Sequence, residues 1–441
     1  MSKLFCGAAK ECITPSAALL PHIYGLMRSH YAGVIDDIYV RVMIIGNETD
    51  KAMFVSWDLD KAPDPDAFVP RLSALTGIAD DRILFFSIHT HTAPLHSDRP
   101  YDGPNAKAKQ TPQVIAATNE YEALLLSAVE NAASKALASL QPARIGWNTG
   151  MSYVGECRVH DYYVENPDGS IRREAALGSN PTKEIDHTLF VMRAETLDGS
   201  PIAFFINHAV HACVMILNNL DGKGGNGISG DIPGAVCRYM EQKYPGAVAL
   251  WSSGAAGDIN PVMLNQYNIA DPVTGEHLEF MDYKSAEPAK MMLLVMGTRH
   301  YADILQVNRD LICNITDADI SGTHEVAATP ANDGGEPYHV ILRGLKIGDL
   351  AFCGASGELY NSLGTAIQCR SNFDHTVIIN HERSVNFESG YIFDDETLAQ
   401  CTREDGTLDG VPSIAHARMQ PGYLRPALEE AADKIFSRLK A

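Results

Sequence analysis

No Cys-x-x-Cys spacing occurs among the nine cysteines of this 441-residue chain. An odd thiol count without such spacing gives no sign of a disulfide framework. Cys213, Cys237 and Cys353 fall in apolar runs and read as buried free thiols, which suits a reducing cytoplasm. Positive charge is scarce as well: 35 Lys and Arg against 55 Asp and Glu leave a net charge of -20. That balance argues against a nucleic-acid partner and disfavours anionic membranes. No apolar run nears the roughly 20 residues of a membrane span, so no stable membrane insertion is expected. The segment Met1–Gly7 has no long apolar core of the secretory kind. Repeats, low-complexity tracts and long Pro/Gly/Ser linkers are also missing. The expected partner is a small-molecule substrate, the expected location is cytoplasmic, and the oligomeric state is left open.

What is present is a large apolar complement, 45% of residues, in a chain long enough for a deep core. Strand-like runs fall at Ile38–Gly46, Ala52–Trp57, Ile83–Ile88, Ala143–Trp147, Thr188–Glu195, Ile202–Ile206, Ala247–Trp251, Val340–Ile347, Leu350–Gly354 and Thr376–Ile379. Leu197–Ser200 and Lys346–Asp349 read as hairpin turns. Helical patterns cover Asp66–Leu75, Glu120–Leu140, Ile232–Lys243, Ala289–Asn308, Leu359–Gln368 and Tyr423–Leu439. Hairpins mixed with helical crossovers predict an α/β fold, a mixed β-sheet core flanked by helices, in one domain spanning 1–441. Leu95–Pro112, Cys157–Asp186 and Val262–Pro288 read as long loops over the active site. Asp98, Arg99, Tyr101, His160 and Tyr267 are the polar and aromatic candidates on them.

Chemistry concentrates where the apolar strands end. Ile83–Ile88 runs into His89-Thr90-His91, and in extended backbone these two histidines share a face. Imidazole is the commonest ligand for zinc-like metals. Ile202–Ile206 runs into Asn207-His208-Ala209-Val210-His211; extended backbone would pair His211 with Asn207, and a helical turn would stack it on His208. Within Ile228–Gly234, Ser229 or Asp231 could cap the following helix, or Asp231 could orient a metal-bound imidazole. Ala247–Trp251 leads to Gly254-Ala255-Ala256-Gly257-Asp258-Ile259-Asn260-Pro261. Its small residues either make a tight turn or let backbone N–H groups approach a substrate oxygen. Glu358 follows another strand and could open a helix or supply an anionic ligand.

Taken in order, these motifs resemble the catalytic domain of the neutral/alkaline ceramidase family. The resemblance runs from Ile13-Thr14-Pro15 through Gly33–Asp36, Ser56–Leu59, His89–His91, Cys157-Arg158, Asn207–His211, Ile228–Gly234, Gly254–Pro261 and Gly357-Glu358 to Gly390-Tyr391-Ile392. It implies one Zn2+ per chain, held by His89, His211, Glu358 and Tyr391. It also implies that His91 and Arg158 handle the scissile amide and its tetrahedral intermediate. Two departures stand out. Asn260 occupies the place of a serine essential in true ceramidases, and the family's C-terminal immunoglobulin-like domain has no counterpart.

The expected function is therefore zinc-dependent hydrolysis of an N-acyl (amide) bond of a small molecule by metal-activated water. His91, Arg158 and Asn260 are the expected catalytic residues, and Ala255, Ala256 and Gly257 the substrate-positioning ones. The enzyme is expected to be ceramidase-like without being specific for ceramide. Alternatives are an esterase or lactonase on the same scaffold, a binuclear amidohydrolase barrel, and a noncatalytic metal- or ligand-binding relative.

Overall fold

Side-chain alternation explains the central sheet. Val40, Val42 and Ile44 point to one core while Met43 and Ile45 point to another, and Val55 and Phe54 divide the same way. Both faces are buried, which is why these strands read as nearly continuous apolar runs. The computed structural model describes residues 3–25, 30–96, 111–265, 269–270, 277–278, 285–383 and 390–441. Within them, eight strands form one sheet in the order Val248–Ser253, Pro201–His208, Thr188–Thr196, Gln141–Met151, Leu4–Cys12, Tyr39–Gly46, Lys51–Trp57 and Ile83–Ser87.

The middle pairings are antiparallel, while the pair at each edge is parallel. The helix Pro65–Thr76 makes the crossover at one edge, and Asp231–Lys243 makes it at the other. A second sheet of Ile320–Thr329, Tyr338–Ile347, Leu350–Ala355 and His375–Ile379 packs on the first. Phe54, Phe86 and Phe205 of the large sheet and Phe352 of the small one meet there, with ring centroids 5.0–6.0 Å apart. Helices Pro65–Thr76 and Pro112–Ala138 cover one end of the large sheet's outer face, and Asp231–Lys243 and Glu287–Arg309 cover the other end. The helix Leu424–Lys440 covers the small sheet. The α/β expectation holds, and a purely parallel barrel is ruled out. Among the described residues no helix is long and apolar enough to cross a membrane.

The large sheet curls until its edges approach each other. The Ser56 hydroxyl donates to the Trp251 carbonyl at 2.8 Å, joining strands from opposite ends of the sheet. This closure brings the segment after Ile83–Ser87 beside the segments after Pro201–His208 and Val248–Ser253.

Two expectations need correction, and one central strand was not expected. Cys157–Asp186 is no irregular loop: Gly155–Glu165 and Ile171–Asn180 pair as an antiparallel hairpin around a turn with Gly169 at φ 82°. Its exposed positions mix Tyr163 and Ile171 with charged residues and its contribution to the core is small, so no hydrophobic run marks it. The strand Leu4–Cys12, central to the sheet, also lacks a strong strand signature. Its small residues admit a helix: a Cβ on Gly7 would lie 2.2 Å from the Ala136 carbonyl oxygen. The long helix starts at Pro112, where the Thr111 hydroxyl accepts from the Val114 N–H. Asp98, Arg99, Tyr101 and Tyr267 lie outside the described residues. His160, in the hairpin, has its Nδ1 2.9 Å from the Ser179 carbonyl.

A buried ion pair locks the region beneath the site. Arg41 is wholly buried, and its Nη1 donates to both carboxylate oxygens of Asp58 at 2.6 and 2.7 Å. Asp58 also accepts from the Tyr39 N–H, and Glu241 stands 3.4 Å from Arg41 Nε. Arg41→Ala leaves the Asp58 charge without its main partner, and should cost about 3–5 kcal/mol in urea unfolding.

Candidate metal centre

Three buried ligand atoms converge at the closure of the sheet. His89 follows the edge strand Ile83–Ser87 in a left-handed conformation, φ 61°, a region that histidine enters more readily than most side chains. Its Nδ1 lies 2.8 Å from the Asp60 carbonyl oxygen and 3.1 Å from Asp60 Oδ1. His211 Nδ1 lies 3.1 Å from the Ile259 carbonyl. A carbonyl can only accept, so both Nδ1 atoms carry the proton and both Nε2 atoms present lone pairs. Those lone pairs face one carboxylate oxygen: Glu358 Oε2 is 3.4 Å from His89 Nε2 and 3.3 Å from His211 Nε2. All three atoms are buried without a hydrogen-bond partner.

This arrangement fits a zinc ion. Tetrahedral bonds of about 2.0–2.1 Å keep neighbouring ligand atoms about 3.3–3.4 Å apart, as found here. The carbonyl contacts at Nδ1 are the outer interactions that fix metal-binding imidazoles. Burial pushes the Glu358 carboxyl up, but the surrounding histidines, His89 foremost, outweigh it and hold it well below its ordinary range. Burial, with Arg158 nearby, pulls His211 down to about 4, which keeps it neutral. A buried carboxylate facing two imidazole nitrogens is the electrostatic complement of a cation.

The remaining expected residues surround this point. His91 is perpendicular to His89, with ring centroids 4.9 Å apart, and both its ring nitrogens are buried and unpartnered. One of its nitrogens falls with one each from His89 and His211 in a ligand-sized group. The strand shape alone does not produce this convergence. The chain leaves the sheet at Ile88, and the left-handed turn at His89 aims the two rings. Tyr391 pairs with Glu358 in a short parallel ladder, with its hydroxyl within reach of Glu358 and Arg158. Burial, then Glu358, raises the phenol well above its ordinary value.

Arg158 is fixed from three sides. Its Nη2 donates to the Gly257 carbonyl at 2.6 Å, its Nη1 to Asn260 Oδ1 at 3.2 Å, and its backbone N–H to the Asp258 carbonyl. Its Nε is buried and free. Asn260 Oδ1 also receives the Cys213 thiol at 3.7 Å. Ala255 packs in the core beneath Leu359, and Ala256 packs against Ala209 and Ile259. The Gly257 N–H is taken by the Leu359 carbonyl, and a Cβ there would lie 2.4 Å from the Glu358 carbonyl oxygen. The small residues thus let the loop pass close behind Glu358.

Sequence reasoning placed some groups differently. Glu358 opens no helix; it lies in a two-residue strand, and the helix begins at Asn361. Asp231 orients no histidine. Its carboxylate accepts from the Met215 and Ile232 N–H groups, and Gly230 stands at the helix N-cap. Asp60 takes the orienting role instead, brought beside His89 by the parallel pairing of Lys51–Trp57 with Ile83–Ser87. His208 turns away, with Nδ1 3.0 Å from the Thr188 carbonyl. His381 was not anticipated. It stacks on His89 with ring centroids 3.9 Å apart, and it groups with His89 and Glu358. A cavity of about 770 Å³ lies behind the loop, lined by Lys183, Asp186, Asp258 and His375 and by none of the metal-centre residues.

The fold is that of the neutral ceramidases. The chain is similar over its whole length to the crystal structure of neutral ceramidase from Pseudomonas aeruginosa, with a TM-score of 0.69, 16% identity and 75% of that chain covered. It is similar also to a ceramidase complexed with C2, with a TM-score of 0.68, 16% identity and 76% of that chain covered. No family model and no curated protein matches the sequence.

Behind the centre, Asp258 Oδ1 accepts from the Asn361 N–H at 2.7 Å, and burial pushes this carboxyl up to about 6. Its neutral form is favoured by folding. The resulting stabilisation is complete below about pH 3.9, the unfolded value, and is lost as pH rises through about 6. Asp258→Asn retains the acceptor without the charge. Relative to wild type, its unfolding free energy should rise by on the order of 3 kcal/mol between about pH 4 and pH 7, measured by urea unfolding at each pH.

Proposed function

We propose that this protein is a zinc-dependent hydrolase that cleaves the amide bond of a small N-acyl substrate. The observation that carries the reading is the convergence of His89 Nε2, His211 Nε2 and Glu358 Oε2 at the separations of a tetrahedral ligand set. The fold shared with neutral ceramidases supports the reaction class. Asn260, at the place of the family's serine, argues for a substrate other than ceramide itself.

Zinc held by His89, His211 and Glu358, with Tyr391 alongside, would lower the pKa of a bound water to roughly 7 and polarise the substrate carbonyl. Arg158 is immobilised by Gly257 and Asn260, so its free Nε is preset as a donor to the oxygen that gains charge when the carbonyl is attacked. His91 stays neutral: burial first, then the nearby His89 and His211, hold it well below its ordinary value. A neutral imidazole with both nitrogens free can take a proton from the nucleophile at one and donate to the departing nitrogen at the other. The C–N bond then breaks to a carboxylate and an amine. Nine unpaired thiols, with Cys12 and Cys369 exposed, support a reducing, cytoplasmic location.

Purified protein should contain about one zinc per chain by elemental analysis. His89→Ala and His211→Ala should each lose the metal and lower kcat/KM for N-acyl amines by about a thousandfold or more. Activity surviving either change would refute the zinc mechanism. Across matched N-acyl amines and esters, amides should give the productive turnover; turnover of esters alone would reassign the enzyme as an esterase.

A further inference from the structure

His381 sits in a stretch of backbone held residue by residue. The N–H of Asn380 donates to the Ser253 carbonyl, that of His381 to Gly357, that of Glu382 to Ala355 and that of Arg383 to Phe85, all at 2.9–3.0 Å. Carbonyls from three separate stretches of chain thus grip four successive residues. His381 and Arg383 take left-handed conformations, φ 59° and 49°. Non-glycine residues held this way are disfavoured and persist where the surroundings over-determine them. Glu382, fully buried, pairs with Arg383 at 3.2 Å and Arg343 at 3.3 Å and anchors the turn.

The result of this grip is one buried imidazole laid on His89, with an interplanar angle of 16°, and its Nδ1 buried without a partner. Nearly parallel rings at 3.9 Å cannot both aim in-plane lone pairs at a single ion. His381 therefore stands outside the ligand set of His89. A ring nitrogen of His381 nevertheless lies within 4.8 Å of ligand atoms of both His89 and Glu358. That is the place of a group that touches whatever occupies the ion's remaining position. A buried nitrogen without a partner calls for one.

We propose that His381 is a substrate-contacting residue whose ring nitrogen beside His89 and Glu358 hydrogen-bonds the acyl-amide head group seated at the metal. This rests on the metal-centre reading above. With His91 it would flank the head group, and it would select substrates that carry a polar group next to the scissile carbonyl.

The test uses acetohydroxamate, a small chelating mimic of the head group, titrated calorimetrically into the zinc-loaded protein. His381→Phe keeps a ring stacked on His89 and removes the nitrogen; His381→Leu serves if the phenyl ring unsettles the fold, judged by melting temperature. The expected result is zinc affinity, from chelator competition, within about threefold of wild type, with acetohydroxamate binding about tenfold weaker. Unchanged acetohydroxamate binding would make His381 a packing residue and overturn the proposal. A loss of zinc affinity of about tenfold or more would make it a ligand and overturn it equally. A wild-type protein that takes up no zinc would instead refute the hydrolase reading, so the two failures are distinct.

Discussion

Everything at this centre depends on two imidazoles being unable to rotate. An imidazole presents one lone pair, and it points at an ion only when the opposite nitrogen is held elsewhere. Here the Asp60 carbonyl holds His89 and the Ile259 carbonyl holds His211. Those carbonyls belong to segments that leave opposite regions of the large sheet. The site is therefore as well defined as the closure of that sheet, and no better. Its geometry belongs to backbone positions more than to the histidines themselves.

Closure in turn rests on groups that look purely structural. Trp251 lends its carbonyl to the Ser56 hydroxyl across the closing edges. Arg41 and Asp58 fix the start of the segment that carries Asp60. A buried pair of this kind contributes little net stability compared with an apolar replacement, but leaving one partner alone is costly. Its effect is to permit one arrangement of the chain below His89 and penalise the others. Gly257 acts comparably on the opposite side, since any side chain there would displace Glu358.

How much of this the sequence disclosed follows from range. The strands Ile83–Ser87 and Pro201–His208 and the histidines that follow them were legible because both faces of those strands are buried, so hydrophobicity marks them without ambiguity. The strand Leu4–Cys12 and the hairpin from Gly155 to Asn180 were not, because one needs small residues to admit a helix and the other mixes apolar and charged residues outside. Among site residues, His89, His91, His211 and Glu358 were visible as polar groups at strand ends. Asp60 and His381 were not, because their role is created by contacts between segments far apart in sequence. Asp231 on local grounds could cap the helix or orient an imidazole, and it spends its oxygens on the N–H groups of Met215 and Ile232.

The backbone around the centre shows what that long-range assembly requires. His89, Asp231 and His381 all have positive φ, between 54° and 61°. Each such residue costs on the order of 1–3 kcal/mol relative to a relaxed alternative. Two of them occur where a chain must turn sharply out of a sheet and deliver a ring to the same few ångströms. Glycine would relieve the strain and deliver no imidazole. The third, Asp231, reaches back to hold the Met215 N–H, four residues beyond His211, so it secures the segment that carries a ligand. Strain at these positions thus marks the places where ligand delivery takes precedence over backbone preference.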